Sequence, residues 1–147
     1  MIDERKILKK IIKYEYISFD IFDTLVKRLV GTYHEVWKLV QSEYNKNCSK
    51  KIYDFEEKRK NADAIAQEKY YEPTLDEIYS QLEYEENVRN DLKKIEEQIE
   101  IECSVFNHSF EKIIKNLYRE KKKIIITTDM YLDRKVIEKI LKKNNIS

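Results

Sequence analysis

The chain has 147 residues, of which 39% are charged, and its 29 basic and 28 acidic side chains leave a formal net charge of +1. That length fits one domain with or without a small insertion, and the balanced charge excludes a general field that would attract nucleic acid or a membrane surface. With one glycine and one proline in the chain, a glycine-rich phosphate loop is excluded as well.

The cysteines and the hydropathy pattern bear on the cellular compartment. Cys48 and Cys103 are isolated, without the paired spacing of zinc or redox motifs, and are interpreted as free thiols in a reducing compartment. No apolar run approaches the length needed to span a membrane, and no signal-peptide pattern marks the acidic start of the chain. We therefore expect a cytoplasmic protein with no nucleic-acid or membrane partner.

The first predicted elements are a short helix and a strand. Apolar residues at helical spacing predict the helix over residues 7–12, and β-forming residues predict a strand over residues 16–20. The strand ends in Asp20, and Asp23 and Thr24 follow directly. In open α/β sheets the carboxyl ends of the strands form the ligand-binding edge, so Asp20 is a candidate functional residue. The alternative is that Asp20 only forms a turn or caps a helix.

Helices are predicted from about residue 32 to residue 103, after a turn with a small extended flap at residues 27–30. The only glycine stands directly before a capping-box pattern, and three further N-cap patterns follow it. The predicted caps are Thr32, Asp54, Thr74 and Asn87. This block is rich in tyrosine, which we interpret as packing in the core and at its rim.

The pattern then returns to α/β. Apolar residues from Phe106 to Leu117 predict a helix, residues 124–126 predict a buried parallel strand, and a last helix follows Asp133. This second strand ends in Thr127, Thr128 and Asp129. Helical connections favour parallel pairing of the two strands through a right-handed crossover. A carboxylate and a hydroxyl would then face each other across one pocket.

Two motifs carry a resemblance to a known family. ISFDIFDTLV resembles the first motif of the haloacid dehalogenase (HAD) superfamily, with Asp20 and Thr24 at the positions of its nucleophile and threonine. IIITTDMYL resembles the second motif, with Thr128 as the better match and Thr127 as the alternative, and it looks like a subgroup found near bacterial surface-polysaccharide and glycosyltransferase genes. The resemblance implies a partial Rossmannoid α/β core of two parallel strands plus helices at residues 1–31 and 104–147. An all-helical cap would be inserted at residues 32–103.

The resemblance also implies a chemistry. Asp20 would attack phosphorus and form an aspartyl-phosphate that water hydrolyses, or act in dehalogenase-type chemistry, on a small phosphorylated or halogenated molecule. Mg²⁺ would be held by Asp20 and by the backbone carbonyl of Phe22. Thr128 would bind the transferred group as a catalytic residue, and Thr24, Thr127 and Asp129 would contribute to substrate binding.

Two departures from the family pattern change this expectation. Phe22 stands where phosphatases of the family carry a general acid, and Asp23 would replace it only if the strand has already broken into a turn. After Thr128 the sequence offers no counterpart of the family's later lysine and acidic pair. We therefore expect the front part of such a hydrolase, weakly active or inactive.

Several arrangements remain open for such a chain. The sheet would be completed by a separate chain or by self-association through its exposed edges, or the chain would be a truncated product. The alternative to a hydrolase is a non-catalytic helical interaction module on a vestigial HAD-like base. Trp37 and the tyrosine-bearing helices would then form the surface that binds a partner.

Overall fold

The computed structural model describes residues 4–146 and is a mixed α/β structure that is mostly helical. The described residues form seven α-helices and four strands, and the strands pair into two small sheets. The helices are α1 (Glu4–Ile11), α2 (Tyr33–Asn47), α3 (Phe55–Lys69), α4 (Leu75–Ser80), α5 (Glu86–Cys103), α6 (Glu111–Arg119) and α7 (Arg134–Lys143). The strands are β1 (Tyr16–Asp20), β2 (Val26–Arg28), β3 (Ser104–Phe106) and β4 (Lys123–Thr127).

The predicted parallel pairing is confirmed by β1 and β4, which run in parallel from the pair Tyr16–Lys123 to the pair Asp20–Thr127. In β1 the side chains alternate, with Ile17 and Phe19 buried and the residues between them exposed, so one face of the strand packs on a core. The prediction that β4 is a buried strand is wrong, because Ile125 is 46% exposed. A strand in a two-stranded sheet has too few neighbours to cover both of its faces.

The second sheet pairs β2 with β3 and was not predicted. The extended flap predicted near residue 27 corresponds to β2. The helix predicted from Phe106 is wrong at its start, because Phe106 lies in β3 and a 3-10 turn, His108–Phe110, precedes α6. The chain makes a long-range contact here instead. Asn107, the residue after Phe106, donates its backbone N–H to the Leu25 carbonyl at 2.8 Å.

Three of the four predicted helix caps stand directly before a helix. Thr74 shows the reciprocal bonds of a capping box: its N–H donates to the Glu77 carboxylate at 2.8 Å, and its hydroxyl accepts from the Glu77 N–H at 3.3 Å. Thr32 and Asp54 precede α2 and α3. The prediction for Asn87 is wrong, because the N-cap of α5 is Glu85 and Asn87 already lies inside the helix.

Contacts divide the chain into two compact units. The first contains the residues up to Arg28 together with Val105–Thr128, and the second contains Leu29–Ser104 together with the residues from Asp129 onward. In the first unit, α1 and β4 pack against α6; in the second, α2, α3, α4 and α7 pack around α5 and one another. The assignment of an α/β core and a cap stays a prediction. Within residues 4–146, none of the helices has the length and apolar character required to cross a membrane.

Candidate functional site

Asp20 is the last residue of β1, and its side chain is exposed to solvent. Its partner in the register is Thr127, the last residue of β4. The two parallel strands therefore bring the predicted nucleophile and a predicted hydroxyl to the same sheet edge, as the sequence indicated. On the edge itself, Ile21 continues the pairing by donating its N–H to the Thr127 carbonyl at 3.2 Å.

The turn that follows Asp20 is held by side chains. The Thr24 hydroxyl donates to Asp20 Oδ2 at 3.4 Å, a long contact that ties the fourth residue of the turn back to the carboxylate. Asn107, only 5% exposed, donates from Nδ2 to the Thr24 carbonyl at 2.8 Å. Asn107 was not among the predicted site residues, because a lone asparagine before a helix is ordinary turn chemistry and carries no signal of a partner far away in the chain.

The two candidate threonines occupy different positions. The Thr127 hydroxyl lies 3.3 Å from Ser18 Oγ. Ser18 and Asp20 are two residues apart on a strand and therefore share a face, so the Thr127 hydroxyl lies on the face that carries the Asp20 carboxylate. Thr128 comes one residue after the end of β4 and is exposed. The register thus pairs Asp20 with the alternative match, Thr127, and leaves Thr128 just beyond the strand.

Phe22 and Asp23 have clearly different environments. Phe22 is 7% exposed, and the guanidinium carbon of Arg28 lies 4.7 Å from its ring centroid, so Phe22 is part of a core and carries no proton to transfer. Asp23 is exposed and has a φ of 56°, in the left-handed region. The strand has ended at Asp20, so the chain has entered a turn before Asp23. The condition under which Asp23 would replace the missing acid is met.

The remaining predicted site residue, Asp129, belongs to the second unit. There it lines a cavity of about 480 Å³ together with Tyr131 and residues that follow α3. The predicted substrate-binding residues are therefore divided between the two units, with Thr24 and Thr127 in the first.

The oxygen donors near Asp20 do not amount to a complete magnesium site. The resemblance assigns two ligands to this chain, the Asp20 carboxylate and the Phe22 backbone carbonyl. Residues 4–146 contain no group of three or more His, Cys, Asp or Glu side chains that could hold a metal ion. A dedicated metal site needs more oxygen ligands than these two, so the described residues would supply only part of the coordination of a magnesium ion.

A buried ionic cluster in the second unit was also missed. Arg59 and Glu96 are both fully buried and form a bidentate pair, with Nε–Oε2 at 3.1 Å and Nη2–Oε1 at 3.0 Å. The Tyr79 hydroxyl donates to Glu96 Oε2 at 2.7 Å. The guanidinium carbon of Arg59 also lies 5.0 Å from the ring centroid of Trp37.

The ionic state of this cluster follows from its burial. Burial alone lowers the pKa of Arg59, but the adjacent Glu96 carboxylate, together with Tyr131 and Tyr79, outweighs burial and raises that pKa above its ordinary value. Burial raises the pKa of Tyr79 well above 10, and the Glu96 charge adds to the rise. The cluster therefore keeps a charged arginine and a neutral tyrosine at any physiological pH.

A sequence signal for this cluster existed. Arg59 stands in the same stripe of α3 as Phe55, Ala62 and Ala66, and all four are buried. A charged residue at an apolar position of a helix indicates a buried partner, since an unpaired charge is too costly to bury. The charge run at residues 56–60 is typical of a solvated helix face, and Arg59 departs from that pattern.

No protein-family model matches the chain, and comparison with curated proteins finds no match either.

Proposed function

We propose that the chain carries the nucleophile half of a HAD-like hydrolase, with Asp20 as the attacking carboxylate. The single observation that supports this most is the register of the parallel sheet, which sets Asp20 beside Thr127 at the carboxyl ends of β1 and β4. This edge is where α/β proteins bind their ligands. The motif resemblance alone would not place a hydroxyl next to the carboxylate.

The proposed reaction begins with attack of an Asp20 oxygen on the phosphorus of a small phosphate ester. The new O–P bond forms as the bond to the leaving oxygen breaks, which produces an aspartyl-phosphate and an alkoxide that takes up a proton. Water then attacks the phosphorus and regenerates the carboxylate and inorganic phosphate. A threonine hydroxyl at the end of β4 donates to a phosphate oxygen and stabilises the charge of the transition state.

The turn supports this role for Asp20. The carboxylate is exposed, so a substrate reaches it, and among residues 4–146 it forms no ion pair that would neutralise it. The Thr24 hydroxyl restricts the orientation of the carboxylate. Asp23, exposed in the turn, is the candidate proton donor to the leaving group in place of Phe22. Because no lysine pairs with Asp20 in the described structure, we expect slow turnover.

Binding of a phosphate mimic tests the proposal without depending on turnover. Beryllium fluoride is titrated into the protein in a buffer that contains Mg²⁺, and backbone amide signals are followed by NMR. We expect saturable changes at residues 19–25 and 126–128 in the wild type and in Asp91→Asn, and none in Asp20→Asn. Asp91→Asn is the matched control, since it removes an exposed carboxylate from α5 in the second unit.

Two results would overturn the proposal. One is a response to beryllium fluoride that persists in Asp20→Asn, which would place the anion elsewhere. The other is the absence of any response in a folded wild-type protein.

The alternative function is a helical interaction module without chemistry. Exposed tyrosines favour it, since Tyr53 and Tyr71 of the second unit are 81% and 93% exposed. Trp37, expected on the surface that binds a partner, is only 2% exposed and contributes to the interior of the unit instead. Binding of a protein partner that is unchanged in Asp20→Asn and unaffected by Mg²⁺, with no beryllium fluoride response, would establish this alternative.

A further inference from the structure

The edge of β4 that faces away from β1, its outer edge, presents backbone groups to a further strand. The Lys123 N–H donates to the Glu15 carbonyl at 2.9 Å, so the odd-numbered residues of β4 direct their backbone groups at β1. Because these groups alternate along a strand, Ile124 and Ile126 direct their N–H and C=O groups to the outer edge. Among residues 4–146, no strand other than β1 pairs with β4.

The residues of β4 favour the addition of a strand at this edge. Its sequence is KIIIT, with three consecutive β-branched isoleucines, and its only charge stands at the first residue. Proline, a bulge or a charge within the strand would oppose such pairing, and the five residues of β4 have none of these. Ile125 is 46% exposed, so apolar surface on the adjoining sheet face is uncovered too.

A second copy of the same edge fits it in the antiparallel orientation. Of the two-fold registers, the one centred on Ile125 pairs all five residues. It sets Ile124 of one copy opposite Ile126 of the other in a hydrogen-bonded pair, since both direct their backbone groups outward. Ile125 then packs against its own copy and is buried, and Lys123 lies opposite Thr127, so no like charges meet.

This register brings a lysine to the Asp20 site. Thr127 pairs with Asp20 on its other side, and residues directly opposite each other in a sheet carry their side chains on the same face. Lys123 of the second copy therefore lies on the face of Asp20, two strand spacings away, or about 9–10 Å between Cα atoms. In its own chain Lys123 pairs with Tyr16, four residues or about 13 Å from the Asp20 end of the sheet.

Lys123 can leave its present contacts with little loss of stability. Its ammonium group lies 3.0 Å from Glu15 Oε1 and donates to the Tyr16 hydroxyl at 2.9 Å. The side chains of Lys123 and Glu15 are 58% and 67% exposed, and an ion pair exposed to that extent stabilises a fold little. A phosphoryl group bound at Asp20 would be a more highly charged partner for the flexible lysine.

We propose that two copies of this chain pair through the outer edges of β4, and that Lys123 of each copy completes the Asp20 site of the other. The lysine compensates the negative charge of a bound phosphoryl group, for which the described residues of one chain place no cation beside Asp20. The role of Lys123 rests on the hydrolase function proposed above, whereas the pairing of the strands does not. Two five-residue strands form a small interface, so the dimer should be weak and should form at high protein concentration.

A disulfide tests the strand pairing by itself. In a non-hydrogen-bonded antiparallel pair the Cα atoms are about 4.5 Å apart, which is within the range of a disulfide. Ile125→Cys should therefore form a covalent dimer under mild oxidation, and peptide mapping should place the bond between the two introduced thiols rather than at Cys48 or Cys103. Tyr53→Cys, 81% exposed in the second unit, is the control and should not link to itself. An Ile125→Cys variant that links no more than this control would overturn the pairing.

The affinity for beryllium fluoride tests the lysine. Lys123→Ala should weaken the binding seen in the wild type about threefold, the effect of losing one exposed ion pair. Lys115→Ala removes a lysine from another exposed ion pair of the first unit and should leave the affinity unchanged. Equal affinities of the two variants would overturn the role of Lys123.

Mixing two variants shows which copy supplies the lysine. Isotope-labelled Lys123→Ala is titrated with beryllium fluoride in an excess of unlabelled Asp20→Asn, which retains the lysine but lacks the nucleophile. The affinity measured at residues 19–25 of the labelled chain should return to the wild-type value, and it should stay low when the unlabelled partner is Asp20→Asn/Lys123→Ala.

Two outcomes of these experiments have different consequences. A labelled chain whose affinity does not recover with Asp20→Asn would overturn the supply of Lys123 by the second copy. Disulfide linkage through Ile125→Cys in a protein whose wild type gives no beryllium fluoride response would overturn the hydrolase function and the role of Lys123 with it, while the strand pairing would stand.

Discussion

The buried pair of Arg59 and Glu96 allows a sharp stability prediction. Replacing Arg59 with methionine keeps most of the side-chain volume but leaves the Glu96 carboxylate buried without its cation. Replacing Glu96 with glutamine keeps the shape and leaves the guanidinium without its counter-ion. Both residues have no exposed side-chain surface, so water cannot take the place of the missing partner.

The expected magnitude follows from this geometry. Removing one partner of a buried, hydrogen-bonded ion pair costs about 3–5 kcal/mol of unfolding free energy. For Glu96→Gln the cost should lie near the lower end, about 3 kcal/mol, because Asp63 remains 3.6 Å from Arg59. For Arg59→Met it should be similar, since the Tyr79 hydroxyl still donates to Glu96 at 2.7 Å.

The double variant Arg59→Met/Glu96→Gln should be more stable than either single variant, by about 2 kcal/mol. Neither buried charge remains in it, and the glutamine oxygen still accepts a hydrogen bond from Tyr79. If the two residues acted independently, the stability loss of the double variant would equal the sum of the two single losses. A double-mutant cycle measures the departure from that sum, which is the coupling free energy between Arg59 and Glu96. The cycle distinguishes a charge effect from a simple loss of packing.

Urea unfolding followed by tryptophan fluorescence is the assay. Trp37 is the only tryptophan and its ring is 5.0 Å from the Arg59 guanidinium carbon, so its signal reports on the second unit. With an m-value of about 1 kcal/mol/M, a loss of 3 kcal/mol moves the midpoint by about 3 M. A loss below about 1 kcal/mol in both single variants, or a double variant whose loss equals their sum, would refute the reasoning.

Two further predictions concern the turn that follows Asp20 and the stability of the protein at acid pH. Asn107→Ala should lower the free energy of unfolding by about 1–3 kcal/mol, because it leaves the Thr24 carbonyl without its donor. Thermal unfolding followed by circular dichroism measures this loss. The control Asn116→Ala should show little change, since the hydrogen bond that Asn116 donates is local to its helix. The hydrogen bond from the Tyr84 hydroxyl lowers the pKa of Asp54, so this contact stabilises the protein above the ordinary aspartate pKa and is lost as the pH falls below about 4. Because the Asp54 side chain is 51% exposed, the effect should stay below about 1 kcal/mol. Urea midpoints between pH 5 and pH 3 should fall less steeply in Tyr84→Phe than in the wild type, and equal slopes would contradict the assignment.

The helical part of the fold was predictable because its signals are local. Thr74 and Glu77 form the capping box that their spacing predicts, and α2 starts directly after Thr32. Errors occur where a long-range contact overrides local preference. Phe106 has the apolar spacing of a helix but lies in β3, beside the bond that the Asn107 backbone donates to Leu25.

The candidate site was predictable in part for a related reason. A strand that ends in Asp20 and another that ends in Thr127 have recognisable patterns, and a helical connection makes parallel pairing the expected arrangement. The register could not be predicted, because a shift of one residue would pair Asp20 with Thr128 instead. Asn107 could not be predicted either, since its partner Thr24 is 83 positions away in the chain.

The sequence by itself determined the secondary structure of the helical block, the two acid- and threonine-ended strands, and the residue types available for chemistry. These follow from local periodicity and capping, which act over a few residues. Only the tertiary structure decided that Thr127 lies opposite Asp20 and that Arg59 is buried against Glu96. Such contacts join residues that are distant in the chain, and burial changes the energy of a charge only once its neighbours are in place.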